Sequence, residues 1–184
     1  MDTKRIAIVG SGNMALARGQ AFLDTGRASI CAVASRRSEN AKNCAEELGC
    51  ELYFDDYTRL KETNPDAVLI ELPHKIQDEV ALWSLDQGFD VLIGGVLAAS
   101  LKSGKRIAEL ADRHKLVVEA GFQRRYDPAW EEIRRLVKSG ELGEPVMAVS
   151  MGLWRPDPAS WYYDQALSAG MPLTHMSYVY LNAM

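Results

Sequence analysis

A short pattern near the amino terminus is the feature that most constrains the fold. Ile6–Val9 is an apolar run short enough for a buried parallel strand, and small residues follow it with G-x-G-x-x-A spacing. In such a turn Gly10 permits a tight reversal, Gly12 lets the backbone approach a pyrophosphate, and Ala15 allows close packing of the helix on the strand. The N–H groups and positive dipole end of that helix would face the phosphates. The residues predicted to contact a dinucleotide here are Gly10, Gly12, Asn13 and Met14.

Strand-like and helix-like segments alternate along residues 1–120. Further strands are predicted at Ser29–Ala34, Glu51–Phe54, Ala67–Glu71, Val91–Ile93 and Leu116–Glu119. Helices are predicted at Ser38–Leu48, Tyr57–Glu62, Ile76–Gln87 and Leu101–His114. Such alternation, with continuous apolar strands, is typical of a parallel sheet covered by helices on both faces. The predicted fold class is therefore α/β, with a doubly wound parallel-sheet (Rossmann) nucleotide-binding domain over residues 1–120.

Residues 121–184 show a different pattern and predict the incomplete start of an α+β second domain. Asp127 followed by Pro128 is typical of a helix start, and Lys138–Gly140 is typical of a helix end. Pro145–Trp154 alternates loosely and predicts a strand. Because these elements are too few to close a core, we expect exposed apolar surface through which chains associate as a homo-oligomer.

Composition excludes several classes of partner. The net charge of −4 gives no basic footprint for nucleic acid, and the longest apolar stretch, Val91–Ala99, is too short to span a bilayer. The histidines are scattered, so no metal site is predicted. No charged-then-apolar leader precedes the first strand, which favours a cytoplasmic protein. The cysteines are odd in number and form no C-x-x-C pair, as expected for reduced structural thiols: Cys31, Cys44 and Cys50.

The loop after the second predicted strand favours NADP over NAD. In NAD-specific folds an acidic residue near this point holds the ribose 2′-hydroxyl, and Ala34–Arg37 contains none. Ser35 can donate to a 2′-phosphate, and Arg36 can bind it through a charge-assisted fork while stacking on adenine. Arg37 extends the basic loop. The alternative is that both arginines are solvated loop charges.

On these motifs the sequence resembles the glucose–fructose oxidoreductase/inositol dehydrogenase (Gfo/Idh/MocA) family. The resemblance runs along essentially the whole chain, through Gly10–Ala15, Val33–Gly49, Asp66–Pro73, Gly121–Trp130 and Ser168–Ser177. It implies hydride transfer between NAD(P) and a hydroxyl or carbonyl of a sugar, polyol or related compound. Family members are typically longer, with a C-terminal α/β domain whose open sheet covers the substrate. This chain resembles the N-terminal half of such an enzyme.

The resemblance also implies contacts at the nicotinamide and substrate end. The implied cofactor contacts are Leu72, Pro73, Gln77 (where the family often has histidine) and Gln123. The implied substrate contacts are Arg125, Trp154 and Tyr178. Pro73 is alternatively a strand terminator, and Arg125 is alternatively part of a structural salt bridge. The aromatic-rich segment after Trp154 is either a sugar-stacking wall or exposed core and interface: Arg155, Trp161, Tyr162 and Tyr163.

The departures from the family pattern predict impaired catalysis. The family's Glu-Lys-Pro after the fifth strand falls at Gly94–Val96, so Gly95 replaces the lysine that helps polarise or protonate the substrate oxygen. The family's catalytic histidine falls at Tyr178 and the following acid at Leu181, while Thr174 matches a Thr-His variant of the motif. The first hypothesis is therefore a catalytically impaired NADP-binding protein, a pseudoenzyme. The alternatives are an active NADP-dependent dehydrogenase or reductase, and a non-catalytic scaffold that acts through protein association.

Overall fold

The computed structural model describes residues 3–149, 151, 155–170 and 178 of the chain. Its strands are β1 (Lys4–Val9), β2 (Ala28–Ala34), β3 (Tyr53–Phe54), β4 (Ala67–Ile70), β5 (Asp90–Ile93) and β6 (Val118–Ala120). Its α-helices are α1 (Asn13–Asp24), α2 (Ser38–Glu47), α3 (His74–Asp86), α4 (Leu101–His114), α5 (Pro128–Ser139) and α6 (Gln165–Ser168). Short 3-10 helices occupy Tyr57–Thr63, Gln123–Tyr126 and Trp161–Tyr163.

The strands form one sheet in the order β3-β2-β1-β4-β5-β6, and every neighbouring pair is parallel. The chain moves outward from β1 to β3 on one side and then returns to build β4 to β6 on the other. The strand order therefore reverses between β1 and β4. In open α/β sheets, ligands bind at such a switch point, outside the carboxyl ends of the strands. The prediction of a doubly wound parallel sheet is confirmed.

Two hydrophobic cores lie on opposite faces of the sheet. Alternate side chains of β1 point to opposite faces, as a strand requires. Ile6 and Ile8 pack in a core with residues of α1 and α2, including Ala15 and Ala45. Ala7 and Val9 belong to the other core, which the apolar residues of α3 and α4 complete. Because helices cover both faces of the sheet, the strand ends are held in place. The loops that follow these strand ends form the candidate site described below.

Several predicted boundaries are corrected. The helix α3 begins at His74 rather than Ile76, because Pro73 is extended and forms its N-cap. The strand β3 begins at Tyr53 rather than Glu51, and Tyr57–Thr63 is a 3-10 helix. Leu101–His114 is helical as predicted. The remaining shifts are of one or two residues at Ala28–Ala34, Ser38–Glu47, Ala67–Ile70, Asp90–Ile93 and Val118–Ala120.

The region after the sheet contains the predicted helix but no strand at residues 145–149. Asp127 caps α5 by accepting a hydrogen bond from the Ala129 N–H, and Gly140 ends that helix, as predicted. The strand prediction for Pro145–Trp154 is wrong over residues 145–149, since no described segment pairs with them; Val146 and Met147 are 96% and 81% exposed. Within the described residues, no helix has both the length and the apolar character needed to cross a membrane.

Candidate functional site

A cleft of about 640 Å³ opens where the carboxyl ends of β1, β4 and β5 meet. Its floor and sides come from the α1 amino terminus, the β4–α3 connection and the end of β5. Residues from the 3-10 helices after the sheet cover one side. The lining residues are Gly12–Ala15, Arg18, Ile70–His74, Gln77, Gly94, Gly95, Gln123, Arg124, Trp161, Tyr162 and Tyr178. The cleft lies at the topological switch point, where a nucleotide is expected in this fold.

The glycine turn has the geometry that the sequence predicted. Gly10 has φ +118°, a value that favours glycine, and a Cβ atom there would collide with the backbone carbonyl of Glu71. Gly12 forms the N-cap of α1 in extended conformation and makes no side-chain cap hydrogen bond. Nothing lies within 4 Å of the position of a Cβ at Gly12. The start of α1 thus presents backbone N–H groups and open space toward the cleft, the arrangement that binds phosphate groups at helix N-termini.

The basic loop lies at the other end of this carboxyl edge. Ser35, Arg36, Arg37 and Asn40 line a shallow recess at the start of α2. The hydroxyl groups of Ser11 and Ser35 are 2.9 Å apart, which ties the glycine turn to this loop. The recess combines guanidinium groups with a helix N-terminus, and both favour an anion.

An acidic residue that the sequence argument did not consider lies beside the basic loop. Asp55 lines a neighbouring cavity that also contains Gly10, Ser35, Arg36, Leu72 and Pro73. It follows β3, whose residue Phe54 accepts a hydrogen bond from the Ser35 N–H at 3.0 Å. Parallel pairing of β2 with β3 brings the end of β3 to the same edge, so this acid is not apparent from the sequence at the end of β2.

An ion pair inside the cleft is the main feature that sequence reasoning missed. Arg18 Nη1 lies 2.5 Å from Glu71 Oε1, and the two side chains are 23% and 9% exposed. Burial raises the pKa of the Glu71 carboxyl, while the charge and hydrogen bond of Arg18 act in the opposite direction. Two signals were available in the sequence: Arg18 is four residues after Met14 on the same helix face, and Glu71 directly follows a buried strand.

The end of β5 lacks side chains where the family motif has glutamate and lysine. A Cβ added at Gly94 would collide with the Glu71 carboxylate. A Cβ added at Gly95 would lie 3.0 Å from His74 Cε1 and 4.0 Å from the Tyr178 hydroxyl. The predicted catalytic position Gly95 therefore lies in the cleft, between two side chains that come from other elements.

His74 and Gln77 form a buried pair at the start of α3. They are 3% and 1% exposed, and His74 Nδ1 lies 3.4 Å from Gln77 Oε1. Because an amide oxygen only accepts, this contact assigns the proton to Nδ1. Gln77 Nε2 donates to the Val96 carbonyl at 2.7 Å, so Gln77 holds the loop after β5. Burial lowers the pKa of His74, which favours a neutral imidazole.

Tyr178, which the resemblance places at the family's histidine position, lines the cleft. Its hydroxyl donates to the Gly121 carbonyl at 3.5 Å, and its ring lies 5.5 Å from the Phe122 ring. Burial raises the pKa of the Tyr178 phenol. Since that pKa is already near 10 in an unperturbed tyrosine, the hydroxyl is a poor general base at neutral pH.

The residues after the sheet divide into those that reach the cleft and those that do not. Gln123 and Arg124 line it, whereas Arg125 is exposed and places its guanidinium 5.1 Å from the Phe122 ring centroid. Trp161 and Tyr162 line the cleft, and Tyr163 is 60% exposed. Three further predicted site positions lie outside the described residues: Trp154, Thr174 and Leu181.

The arrangement combines an open helix N-terminus, a nearby basic loop and a cleft containing groups with perturbed pKa values, a combination typical of functional sites. Within the described part of the chain, no cluster of three His, Cys, Asp or Glu side chains could hold a metal ion.

Comparison with known proteins gives the chain a family. Residues 4–122 match the family model GFO_IDH_MocA, described as an oxidoreductase family with an NAD-binding Rossmann fold. The chain is 27% identical over 145 residues to a scyllo-inositol 2-dehydrogenase (NAD(+)) of Bacillus subtilis, covering 77% of this chain and 42% of that protein. It is 31% identical over 170 residues to an inositol 2-dehydrogenase of Corynebacterium glutamicum, covering 89% and 49%. The chain spans about half the length of these relatives.

Solved structures agree with this comparison. An oxidoreductase from Thermotoga maritima matches with a TM-score of 0.71 at 28% identity, over 78% of this chain and 45% of the other. A scyllo-inositol dehydrogenase from Lactobacillus casei, with bound cofactor NAD(H) and scyllo-inositol, matches with a TM-score of 0.71 at 23% identity, over 78% and 43%. At that identity the likeness shows the fold alone. With more than half of its residues matched by the family model, the chain belongs to the Gfo/Idh/MocA family of oxidoreductases.

Proposed function

We propose that this chain binds a nicotinamide dinucleotide along the carboxyl edge of its sheet, with NADP favoured over NAD. The observation that carries the proposal is the glycine turn at the start of α1, which leaves open space above Gly12 at the switch point between β1 and β4. The pyrophosphate lies against this helix start. The adenosine half extends toward Ser35 and Arg36, and the nicotinamide half extends toward Leu72 and Pro73.

The preference for NADP rests on the recess at the start of α2. Ser35, Arg36 and Arg37 offer a hydroxyl and two guanidinium groups to a 2′-phosphate, with Asn40 beside them. Asp55 lies in the adjacent cavity and would accept a hydrogen bond from the 2′-hydroxyl of NAD. The family is NAD-binding, so the basic recess is the feature by which this chain departs toward NADP.

Titration with NADPH and, separately, with NADH tests this proposal through nicotinamide fluorescence. Arg36→Ala removes the charge-assisted contact to the 2′-phosphate, so we expect NADPH affinity to fall about tenfold or more. NADH affinity, which would lose only the adenine stacking, should fall much less. Arg113→Ala, in the last turn of α4, is the matched control because that arginine is exposed and far along the chain from the recess. An equal loss for both nucleotides would contradict the assignment of Arg36.

We further propose that the substrate class is a polyol or sugar-like compound and that turnover is impaired. The relatives named above are inositol dehydrogenases, and Trp161 and Tyr162 offer aromatic faces to the cleft. Hydride transfer from a hydroxyl-bearing carbon needs a group that takes the hydroxyl proton. Gly95 has no side chain for this, and the raised pKa of Tyr178 keeps its phenol protonated. His74 lies beside position 95, but its imidazole is buried at 3% exposure. Loss of a general acid–base group typically slows a reaction about 10²–10⁴-fold.

A turnover assay decides between impairment and the alternative of an active dehydrogenase or reductase. The protein is mixed with NADP and one of three substrates: myo-inositol, scyllo-inositol or D-glucose. If it binds NADP(H) but is impaired in turnover, we expect little or no change in nicotinamide absorbance. Rates near the ordinary enzymatic range, about 1–10³ per second, would contradict impairment. Binding of neither nucleotide would instead favour the scaffold hypothesis.

We also propose that the chain associates with itself through the region that follows the sheet. One face of α5 exposes Ile133 and Val137, which are 48% and 40% exposed. Val146, Met147 and Val149 are each more than three-quarters exposed in the segment that follows. A second copy that covers these side chains would remove the apolar surface from water.

A further inference from the structure

Side chains from the β4–α3 connection fill the space beside the bare end of β5. The Gly94 N–H donates to the Ile70 carbonyl at 3.0 Å, so Gly94 lies directly beside Glu71 in the parallel register. A Cβ at Gly94 would overlap the Glu71 carboxylate, and a Cβ at Gly95 would press on the His74 ring. The polar groups in this part of the cleft therefore come from β4 and α3 instead of from β5.

Glu71 is held in the cleft rather than exposed to solvent. Its side chain is 9% exposed, and its Oε1 accepts the hydrogen bond of Arg18. Arg18 comes from the second turn of α1, whose first turn forms the expected pyrophosphate site. Glu71 therefore lies between the start of α1 and the end of β5, at the boundary between the cleft and the adjacent cavity that contains Ser35 and Arg36.

We propose that Glu71, positioned by Arg18, is the carboxylate that binds the ribose of the nicotinamide half of the dinucleotide, in the space that a side chain at position 94 would otherwise occupy. This inference rests on the proposed function. A carboxylate has two acceptor oxygens with about four lone-pair sites, and the Arg18 contact uses one of them. A ribose carries a pair of hydroxyl donors. Burial raises the pKa of the Glu71 carboxyl, and the guanidinium of Arg18 opposes that rise by favouring the ionised, acceptor-only form.

Because a Cβ at Gly94 would collide with the Glu71 carboxylate, the proposal can be tested by moving the carboxylate from position 71 to position 94. A long side chain at position 94 would displace the Glu71 carboxylate from its place beside Arg18. We expect a glutamate at position 94 to be tolerated when residue 71 is small, and to return a carboxylate to nearly the same place from the neighbouring strand.

The experiment measures NADPH and NADH affinity and thermal unfolding for Glu71→Ala, Glu71→Gln, Gly94→Glu and the double variant Glu71→Ala/Gly94→Glu. We expect Glu71→Ala and Glu71→Gln to weaken both nucleotides equally, by about tenfold or more, because the ribose is common to both. We expect Gly94→Glu alone to lower the Tm and the double variant to recover both Tm and affinity. Glu62→Ala is the matched control, since that glutamate is half-exposed in a surface pair with Arg59.

Two results would overturn the inference. Unchanged affinity for both nucleotides in Glu71→Gln, which keeps the side-chain shape, would show that the carboxylate does not bind the ribose. A double variant whose Tm loss equals the sum of the single losses would show that positions 71 and 94 do not share space. Failure of the proposed function is a separate result: the unaltered protein would bind neither nucleotide, while the unfolding measurements would still decide whether the two positions exchange.

Discussion

The burial of His74 links the stability of the protein to pH. Burial lowers the pKa of the folded-state imidazole, with Gln77 and the charge of Asp78 acting in the opposite direction. In the unfolded chain a histidine titrates near pH 6.5. As the pH falls through about 6.5, the unfolded state binds a proton before the folded state does, so the contribution of His74 to stability is lost toward acid pH. Above that pH its contribution does not change.

We therefore expect His74→Asn to flatten the acid limb of the stability profile. The measurement is the free energy of unfolding in urea at pH 8, 6.5 and 5.5, for the unaltered protein and the variant. The difference between the two should shrink as the pH falls, because the variant cannot take up the extra proton in its unfolded state. His114→Asn is the control, because that side chain is exposed at the end of α4. A difference that is constant across the three pH values would contradict the linkage.

Single residues of the site were predictable where a local backbone conformation requires them. Gly10 and Gly12 follow from spacing alone, because a tight turn and a close approach to phosphate need small residues. Glu71 and Arg18 were missed because their significance is tertiary. They are 53 positions apart in sequence, and only the parallel pairing of β1 with β4 brings them together. Which of two adjacent arginines reaches the cleft, Arg124 or Arg125, likewise depends on the local 3-10 turn.

Whole elements were predictable where both of their ends carry local signals. The helix α4 has a side-chain cap from Ser100 at one end and a left-handed Lys115 at the other, and its predicted bounds agree with the structure. The predicted start of α3 was two residues too late. Pro73 ends the connection from β4 and is also the N-cap of the helix, which therefore begins at His74. The strand expected at Pro145–Trp154 failed over residues 145–149 for a different reason. A strand needs a partner, and alternation of side chains along a sequence does not supply one.

At the scale of the whole molecule, the apolar surface after the sheet predicts self-association. We expect light scattering coupled to size-exclusion chromatography to give a mass above that of the monomer. Charged residues on the exposed face of α5, in Ile133→Lys/Val137→Lys, should shift the protein toward the monomer because a buried lysine pair opposes the contact. Glu131→Lys/Glu132→Lys on the same helix is the control for added positive charge. A monomer for the unaltered protein at high micromolar concentration would refute this interface.

The crowding between Glu71 and Gly94 also has a consequence for the history of the chain. A side chain at position 94 would displace the Glu71 carboxylate from its place beside Arg18, so the two positions are expected to change together. A substitution at either position by itself disturbs the other: a side chain at position 94 meets the Glu71 carboxylate, and removal of Glu71 leaves Arg18 without its carboxylate. This is epistasis between adjacent strand ends. A carboxylate at position 71 and a side chain at position 94 are therefore expected to alternate among sequences related to this chain.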